Sequence, residues 1–128
     1  MDKVIIASGS VIVRDNKVLL DISGDDDFWK FCGGKIKRGE DLETTAKKRA
    51  KEELGINIKI LDSDPFIIVR KKPGEEDKDV VLVHYLSDYS GKVSPGSTVK
   101  EWAWLKIDDL PENIAPNIKP VLRHFGFL

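Results

Sequence analysis

The sequence predicts a mixed α/β sandwich, in which two helices pack against a largely antiparallel or mixed sheet. Segments rich in β-branched residues occur before, between and after two segments of helical character. The 128 residues are 41% hydrophobic, which suffices for a compact core without a disulfide or a structural metal. No repeat, low-complexity stretch or linker interrupts the chain, so residues 1–128 are expected to form a single domain.

The first predicted element is a β-hairpin. Residues 4–13 are rich in valine and isoleucine, and the polar residues 15–17 separate them from a second apolar run at 18–20. Further along, Gly33 and Gly34 predict a bend, because glycine adopts backbone angles that are closed to other residues.

A helix is predicted over residues 41–54. Apolar side chains recur there every four residues and form one stripe: Leu42, Ala46, Ala50 and Leu54. Gly55 supplies a stop signal at the end of the segment. Because two of the four stripe residues are alanine, the helix is expected to approach the sheet closely.

The second half of the chain predicts four more strands and a terminal helix. The strand-like runs are bounded by turn-forming residues and fall at 56–61, 66–70, 80–86 and 101–105. A turn-forming loop over residues 72–77 joins the second and third of these runs into a hairpin. Residues 118–125 have helical character.

Charge and cysteine content restrict the partners and the location. The 21 lysine and arginine residues nearly cancel the 22 aspartate and glutamate residues, so no global positive field exists to hold duplex nucleic acid. A small ligand is therefore favoured. The single cysteine, Cys32, has no internal disulfide partner, and no apolar run reaches the length of a membrane span. A cytoplasmic location without membrane contact is expected.

One set of residues carries the spacing of a metal site. Glu40 lies six residues after Gly34, and Glu52 and Glu53 follow twelve and thirteen residues later. At about 100° per residue, both of these later carboxylates fall on one helix face. Mg²⁺, or Mn²⁺ in its place, binds such oxygens, and a glycine lets a backbone carbonyl approach the ion. An ordinary solvated helix end is the alternative, but the full register of glycines and glutamates favours the metal site.

This spacing resembles the Nudix box of the MutT-like hydrolases. That pattern has a glycine, five free positions, a glutamate, seven free positions, arginine, glutamate, an aliphatic residue, any residue, two glutamates, any residue, glycine and an aliphatic residue. The matching residues here are Gly34, Glu40, Lys48, Arg49, Ala50, Glu52, Glu53, Gly55 and Ile56. Lysine replaces the arginine and Arg49 replaces a glutamate. Residues 29–35, 101–104 and 108–110 also resemble segments of the family.

The resemblance implies an α/β/α sandwich with a mixed central sheet. It also implies Mg²⁺-dependent hydrolysis of a nucleoside diphosphate linked to another moiety, such as a nucleoside triphosphate or a nucleotide sugar. By the same resemblance, Glu52, Glu53 and Glu40 are the catalytic candidates, and the metal ligands are expected from Gly34, Glu52, Glu53 and Glu101. Both monomers and homodimers occur in the family, so either state is compatible with it.

Arg49 raises a second hypothesis. Three carboxylates on the helix face would carry a charge of about −3, whereas Arg49 with two glutamates leaves about −1. Arg49 also lies three and four residues before Glu52 and Glu53, a spacing that permits an ion pair with either. Because arginine stays protonated, it cannot act as a base. The alternative function is a Nudix-fold nucleotide-binding or regulatory module with impaired catalysis, while Glu40, Glu101 or the acidic residues 75–77 remain candidates to replace the lost carboxylate.

Four residues are candidates for substrate contacts. Lys35 follows the glycine bend and is expected to neutralise a phosphate, and Phe66 with Trp102 is a candidate platform for a base. Asn117 lies in a segment that resembles the base-contacting segment of some family members, although an N-cap of the last helix explains it equally well. His84 is expected to be structural or to lie at a rim. The sequence does not identify the nucleotide.

Overall fold

The computed structural model describes residues 3–72 and 74–128. Within them the chain forms seven strands, two α-helices and one 3-10 turn. In chain order these are β1 (Lys3–Arg14), β2 (Lys17–Ser23), β3 (Gly33–Lys35), α1 (Leu42–Leu54), β4 (Asn57–Ile60), β5 (Phe66–Lys72), β6 (Glu75–Ser90), β7 (Val99–Lys106), the 3-10 turn Ile107–Asp109 and α2 (Ile118–His124).

The first two strands form the predicted hairpin. Asp15 and Asn16 occupy its turn with φ angles of 51° and 60°, and both angles lie in the left-handed region. A two-residue turn of this kind matches the right-handed twist of the flanking strands. The register pairs Val13 with Val18, so the hairpin predicted from the polar break is confirmed.

The sheet is mixed, and its centre is a parallel pair. β1 runs parallel to β6 over ten positions, from Lys3 opposite Lys78 to Ile12 opposite Ser87. The remaining strand pairs are antiparallel, in the order β4-β6-β1-β2-β7, with β3 beside β1 and β5 beside β6. Because α1 covers one face and α2 the other, the predicted α/β/α sandwich is confirmed.

Helix α1 begins and ends where its sequence signals indicate. Asp41 caps the amino end, and its Oδ1 accepts a hydrogen bond of 2.8 Å from the Thr44 backbone N–H. Gly55 terminates the helix with a φ angle of 69° and donates its N–H to the Lys51 carbonyl. Ala46, Ala50 and Leu54 of the apolar stripe are fully buried, as expected for a helix that packs closely on the sheet.

The predicted loop over residues 72–77 is wrong in extent. β6 already begins at Glu75, because its first residues pair with Lys72 of β5, and Lys78 pairs with the start of β1. The Glu75 carboxylate also lies 2.7 Å from the ammonium groups of both Lys72 and Lys78. Long-range strand pairing and these ion pairs therefore outweigh the polar character of the segment. Pro73 lies outside the described residues.

Two apolar layers lie on opposite faces of the sheet. On the α1 face, Ile12, Leu19, Ala50, Leu54 and Ile56 are buried together, and Trp104 packs against them. On the α2 face the core residues include Val11, Val18, Leu20, Phe31, Ile118 and Leu122. The described part of the chain has no helix that combines the length and the apolar character needed to cross a membrane.

Candidate active site

The bend predicted at Gly33 and Gly34 is wrong in form, because both residues pair with β1 as part of the short strand β3. This glycine segment, the glycine bend of the site, fits against β1 and α1 because it carries no side chains. Gly33 pairs with Gly9, and an added Cβ at Gly33 would lie 2.6 Å from the Gly9 Cα. At Gly34, an added Cβ would lie 3.1 Å from the Cγ and Cδ atoms of Arg49. A larger residue at Gly33 would therefore push this segment away from β1.

Arg49 is buried and pairs with Glu40. Its Nη2 lies 2.6 Å from Glu40 Oε2, and the two side chains are only 7% and 6% exposed. The other oxygen of Glu40 accepts hydrogen bonds from Thr45 Oγ1, at 2.9 Å, and from the Lys37 backbone N–H, at 3.1 Å. Both carboxylate oxygens are thus engaged, and the pair ties the loop before α1 to the body of the helix.

Arg49 makes two ion pairs, of which the sequence predicts one. Arg49 Nη1 lies 3.4 Å from Glu52 Oε2, so the ion pair that helical spacing permits with Glu52 is present. Its shorter contact is with Glu40, which precedes the helix. Both ion pairs of Arg49 are thus made with other residues, and its guanidinium does not occupy the Glu53 carboxylate.

Glu53 instead faces a second carboxyl group, that of Asp21 on β2. Burial, together with the like charge of Asp21, raises the pKa of Glu53 to about 8, while the Gly33 N–H holds its Oε2 at 3.3 Å. Burial raises the pKa of Asp21 to about 6, and the charge of Lys30 opposes the rise. Asp21 is fully buried, and its polar neighbours are the side chains of Glu53 and Ser23. Two buried acids therefore lie beside the glycine bend.

Sequence reasoning missed Asp21, although the sequence holds a signal for it. Asp21 stands between Leu20 and Ile22, inside an apolar strand, where an ionisable residue is unusual. Such a residue in a buried strand indicates either a buried ion pair or a functional site.

These two acids predict how stability varies with pH in the metal-free protein. A carboxyl whose pKa is higher in the folded than in the unfolded state stabilises the fold fully below its unfolded pKa and loses that contribution as pH rises through its folded pKa. We therefore expect the free energy of unfolding, measured in EDTA, to fall as pH rises from about 4 toward 8. Glu53→Gln should flatten the upper part of this fall and Asp21→Asn the lower part. Parallel profiles for wild type and both variants in urea titrations would contradict the arrangement.

The structure brings only part of the predicted metal-ligand set together. Glu52 extends from α1 with its side chain 56% exposed, on the same helix as Glu53. Glu101, in contrast, pairs with Ile22 while Trp102 pairs with Asp21, so Glu101 points to the sheet face opposite Asp21. The expectation that Glu101 joins the site is therefore not supported. Over residues 3–72 and 74–128, no three His, Cys, Asp or Glu side chains gather closely enough to hold a metal by themselves.

A cleft of about 310 Å³ borders the glycine bend. Gly34 and Lys35 line one side of it, and Asn117 lines another. The described lining contains four basic side chains and no acidic one: Lys30, Lys35, Arg70 and Lys72. A cleft with this charge favours an anionic ligand.

Asn117 lines the cleft, and its side chain contacts that of His84. Asn117 Nδ2 lies 2.9 Å from His84 Nε2, and His84 Nδ1 lies 2.9 Å from the Phe66 carbonyl oxygen. Although Asn117 stands at the start of α2, its side chain makes no capping hydrogen bond. Asn117 thus holds the N-cap position of α2 while its side chain contacts His84, which is buried at the wall of the cleft.

The two predicted base platforms do not line the cleft. The Phe66 ring is stacked on His124 with a centroid separation of 4.1 Å. Trp102 is 37% exposed on the sheet face that carries Asp21. Phe31 lines the cleft instead, and no pattern in the sequence singles it out.

Comparison with known proteins identifies the family. The model of the NUDIX domain matches residues 5–125, and the chain therefore belongs to the NUDIX family. No curated protein matches the sequence. The recognition based on the box is confirmed, including its coverage of nearly the whole chain.

Solved structures share the fold at low sequence identity. The MutT NUDIX hydrolase from Burkholderia pseudomallei is 22% identical, with a TM-score of 0.81 over 95% of this chain and 98% of that one. The E. coli ORF135 protein is 24% identical, with a TM-score of 0.78 over 97% and 89%. An ADP-ribose pyrophosphatase from Streptococcus suis is 21% identical, with a TM-score of 0.71 over 95% and 92%.

Proposed function

We propose that this protein hydrolyses a nucleoside diphosphate linked to another moiety and that it requires Mg²⁺ or Mn²⁺. The observation that carries the proposal is the basic cleft between the glycine bend and Asn117. Its charge suits a diphosphate, and the bend at one side holds Glu53 through the Gly33 N–H. Membership of the NUDIX family supports the same substrate class, as do two proteins of similar structure, an ADP-ribose pyrophosphatase and a UDP-X diphosphatase.

The residues beside the bend fit a divalent cation. Asp21 and Glu53 place two acids together, and burial together with the charge of Asp21 holds the pKa of Glu53 high. A cation at Glu53 would restore its ionised form. Mg²⁺ commonly uses one or two protein carboxylates and completes its shell with water and substrate phosphate, so Glu52 and Glu53 with the Gly34 carbonyl suffice. When bound, the ion supplies polarisation of a phosphoryl oxygen and a lower pKa for water.

The remaining residues orient the substrate. Lys35 and Arg70 line the cleft and provide positive charge for the phosphates, and Asn117 provides an amide for the base. The Gly33 N–H fixes Oε2 of Glu53, which leaves Oε1 for the cation. Glu40 supports the site indirectly, because its carboxylate neutralises the charge of Arg49 on α1.

A nucleotide-binding module without hydrolysis is the second candidate. Its support is Arg49, which takes a box glutamate's place and is buried in an ion pair that a metal cannot use. The basic cleft would serve binding equally well.

One assay separates the two candidates. The protein is incubated with Mg²⁺ or Mn²⁺ and a panel of dNTPs, ADP-ribose, dinucleoside polyphosphates and capped RNA, and released phosphate is measured after phosphatase coupling. We expect turnover of at least one substrate that EDTA abolishes, and unchanged turnover for the exposed control Glu112→Gln. Nucleotide binding by calorimetry with no turnover across the panel would favour the binding module instead.

A further inference from the structure

The side chains of His84 and Asn117 form a hydrogen-bonded chain that ends at the cleft. The Phe66 carbonyl can only accept, so the proton of the neutral His84 ring must lie on Nδ1, 2.9 Å away. His84 Nε2 then has a lone pair and can only accept. The group 2.9 Å from it, Asn117 Nδ2, must be the donor. This chain determines both the tautomer of His84 and the orientation of the Asn117 amide.

The surroundings of His84 hold the ring in place. The side chain is 3% exposed, the Phe31 ring contacts it edge-on at 5.7 Å, and the Phe66 ring lies tilted at 6.3 Å. Burial lowers the pKa of His84, and the charge of Arg70 lowers it further, so the ring is neutral near pH 7. If the Asn117 amide turned over, its oxygen would face the lone pair of Nε2 with no proton between them.

We propose that His84 is a specificity-determining positioning residue, which fixes Asn117 so that its carbonyl Oδ1 is offered to the base of the substrate. No described residue donates a hydrogen bond to Oδ1, and Asn117 lines the cleft. A base with an amino group on the contacted edge satisfies this acceptor. A base with a carbonyl at the same place brings two acceptors together and is disfavoured. The inference rests on the proposed function, because it assumes that the cleft holds a nucleotide.

Binding of matched nucleotides in EDTA tests the proposal without requiring hydrolysis. ADP with IDP, and CDP with UDP, differ by an amino group against a carbonyl, while GDP and IDP differ by the presence of an amino group. By calorimetry, we expect the amino-bearing member of at least one pair to bind about tenfold more tightly. Equal affinities in all three pairs would overturn the proposal.

Variants of the two histidines separate positioning from general structure. His84→Gln retains a donor for the Phe66 carbonyl and an acceptor for Asn117, so the preference should be kept. His84→Leu should lose the preference while retaining binding of the diphosphate. The control His124→Gln changes the other histidine, which stacks on Phe66 without contacting Asn117, and should keep the preference. A preference that persists in folded His84→Leu would refute the positioning role.

The tautomer can be measured in the free protein, which distinguishes failure of this inference from failure of the proposed function. Nitrogen-15 NMR should show the proton of His84 on Nδ1 at pH 7. A proton on Nε2 would overturn the inference even if nucleotides bind. The Nδ1 tautomer with no binding of any nucleotide would leave the hydrogen-bonded chain intact but refute both its role in base selection and the proposed function.

Discussion

Replacing Arg49 by methionine is expected to lower the free energy of unfolding and the urea midpoint, because it leaves the Glu40 carboxylate without its nearest cation. Lys48 lies 3.7 Å from the same oxygen, but its side chain is 58% exposed and compensates little. Urea denaturation at pH 7 measures the effect.

The double variant Glu40→Gln/Arg49→Met is the matched control. It removes both charges, and a glutamine oxygen still accepts from Thr45 and the Lys37 N–H. Replacing both members of a buried ion pair is often nearly neutral, so most of the lost stability should return. If the double variant were as unstable as Arg49→Met alone, lost packing rather than the ion pair would explain the result.

Glu53→Gln is expected to reduce hydrolysis by about 100-fold or more, because it removes a proposed ligand of the cation. In the metal-free protein at pH 7 its effect on unfolding should stay below about 1 kcal/mol, since a carboxyl with a pKa of about 8 is already largely protonated and resembles the amide. Turnover and thermal unfolding are measured on the same preparations.

Added Mg²⁺ provides the control for this variant. The wild type should unfold at a higher temperature as Mg²⁺ is titrated in, because an ion that binds only the folded state stabilises it. Glu53→Gln should show little of this increase, and Glu112→Gln should show all of it. An unchanged Mg²⁺ response in Glu53→Gln would remove Glu53 from the metal site.

Local signals account for the elements that could be predicted well. The apolar stripe of α1 and its capping residues Asp41 and Gly55 all lie within fifteen residues, and the β1-β2 turn depends on Asp15 and Asn16 alone. The parallel pairing of β1 with β6 joins residues about 75 positions apart, and no local pattern specifies it. For the same reason the polar residues at the start of β6 predict a loop where the structure has a strand.

The residues of the candidate site that the sequence predicts are those whose spacing matches the Nudix box. Residues that tertiary contacts bring to the site are not predicted. Gly34, Glu52 and Glu53 follow from spacing alone. Spacing also predicts the ion pair of Arg49 with Glu52, but not its shorter pair with Glu40, because helical spacing considers only contacts within the helix and Glu40 precedes it. Asp21 is likewise positioned by a tertiary contact, since it pairs with Lys30 just before the glycine bend.

The connections of the sheet also determine when the fold can form. β1 begins at residue 3 and pairs with β6, which extends to residue 90. β2 pairs with β7, which ends at residue 106. A chain emerging from the ribosome therefore leaves the edges of the β1-β2 hairpin unpaired until β6 and β7 have been synthesised. Contacts between such distant residues slow folding, so the nascent protein is expected to depend on chaperones more than a helical bundle of equal size.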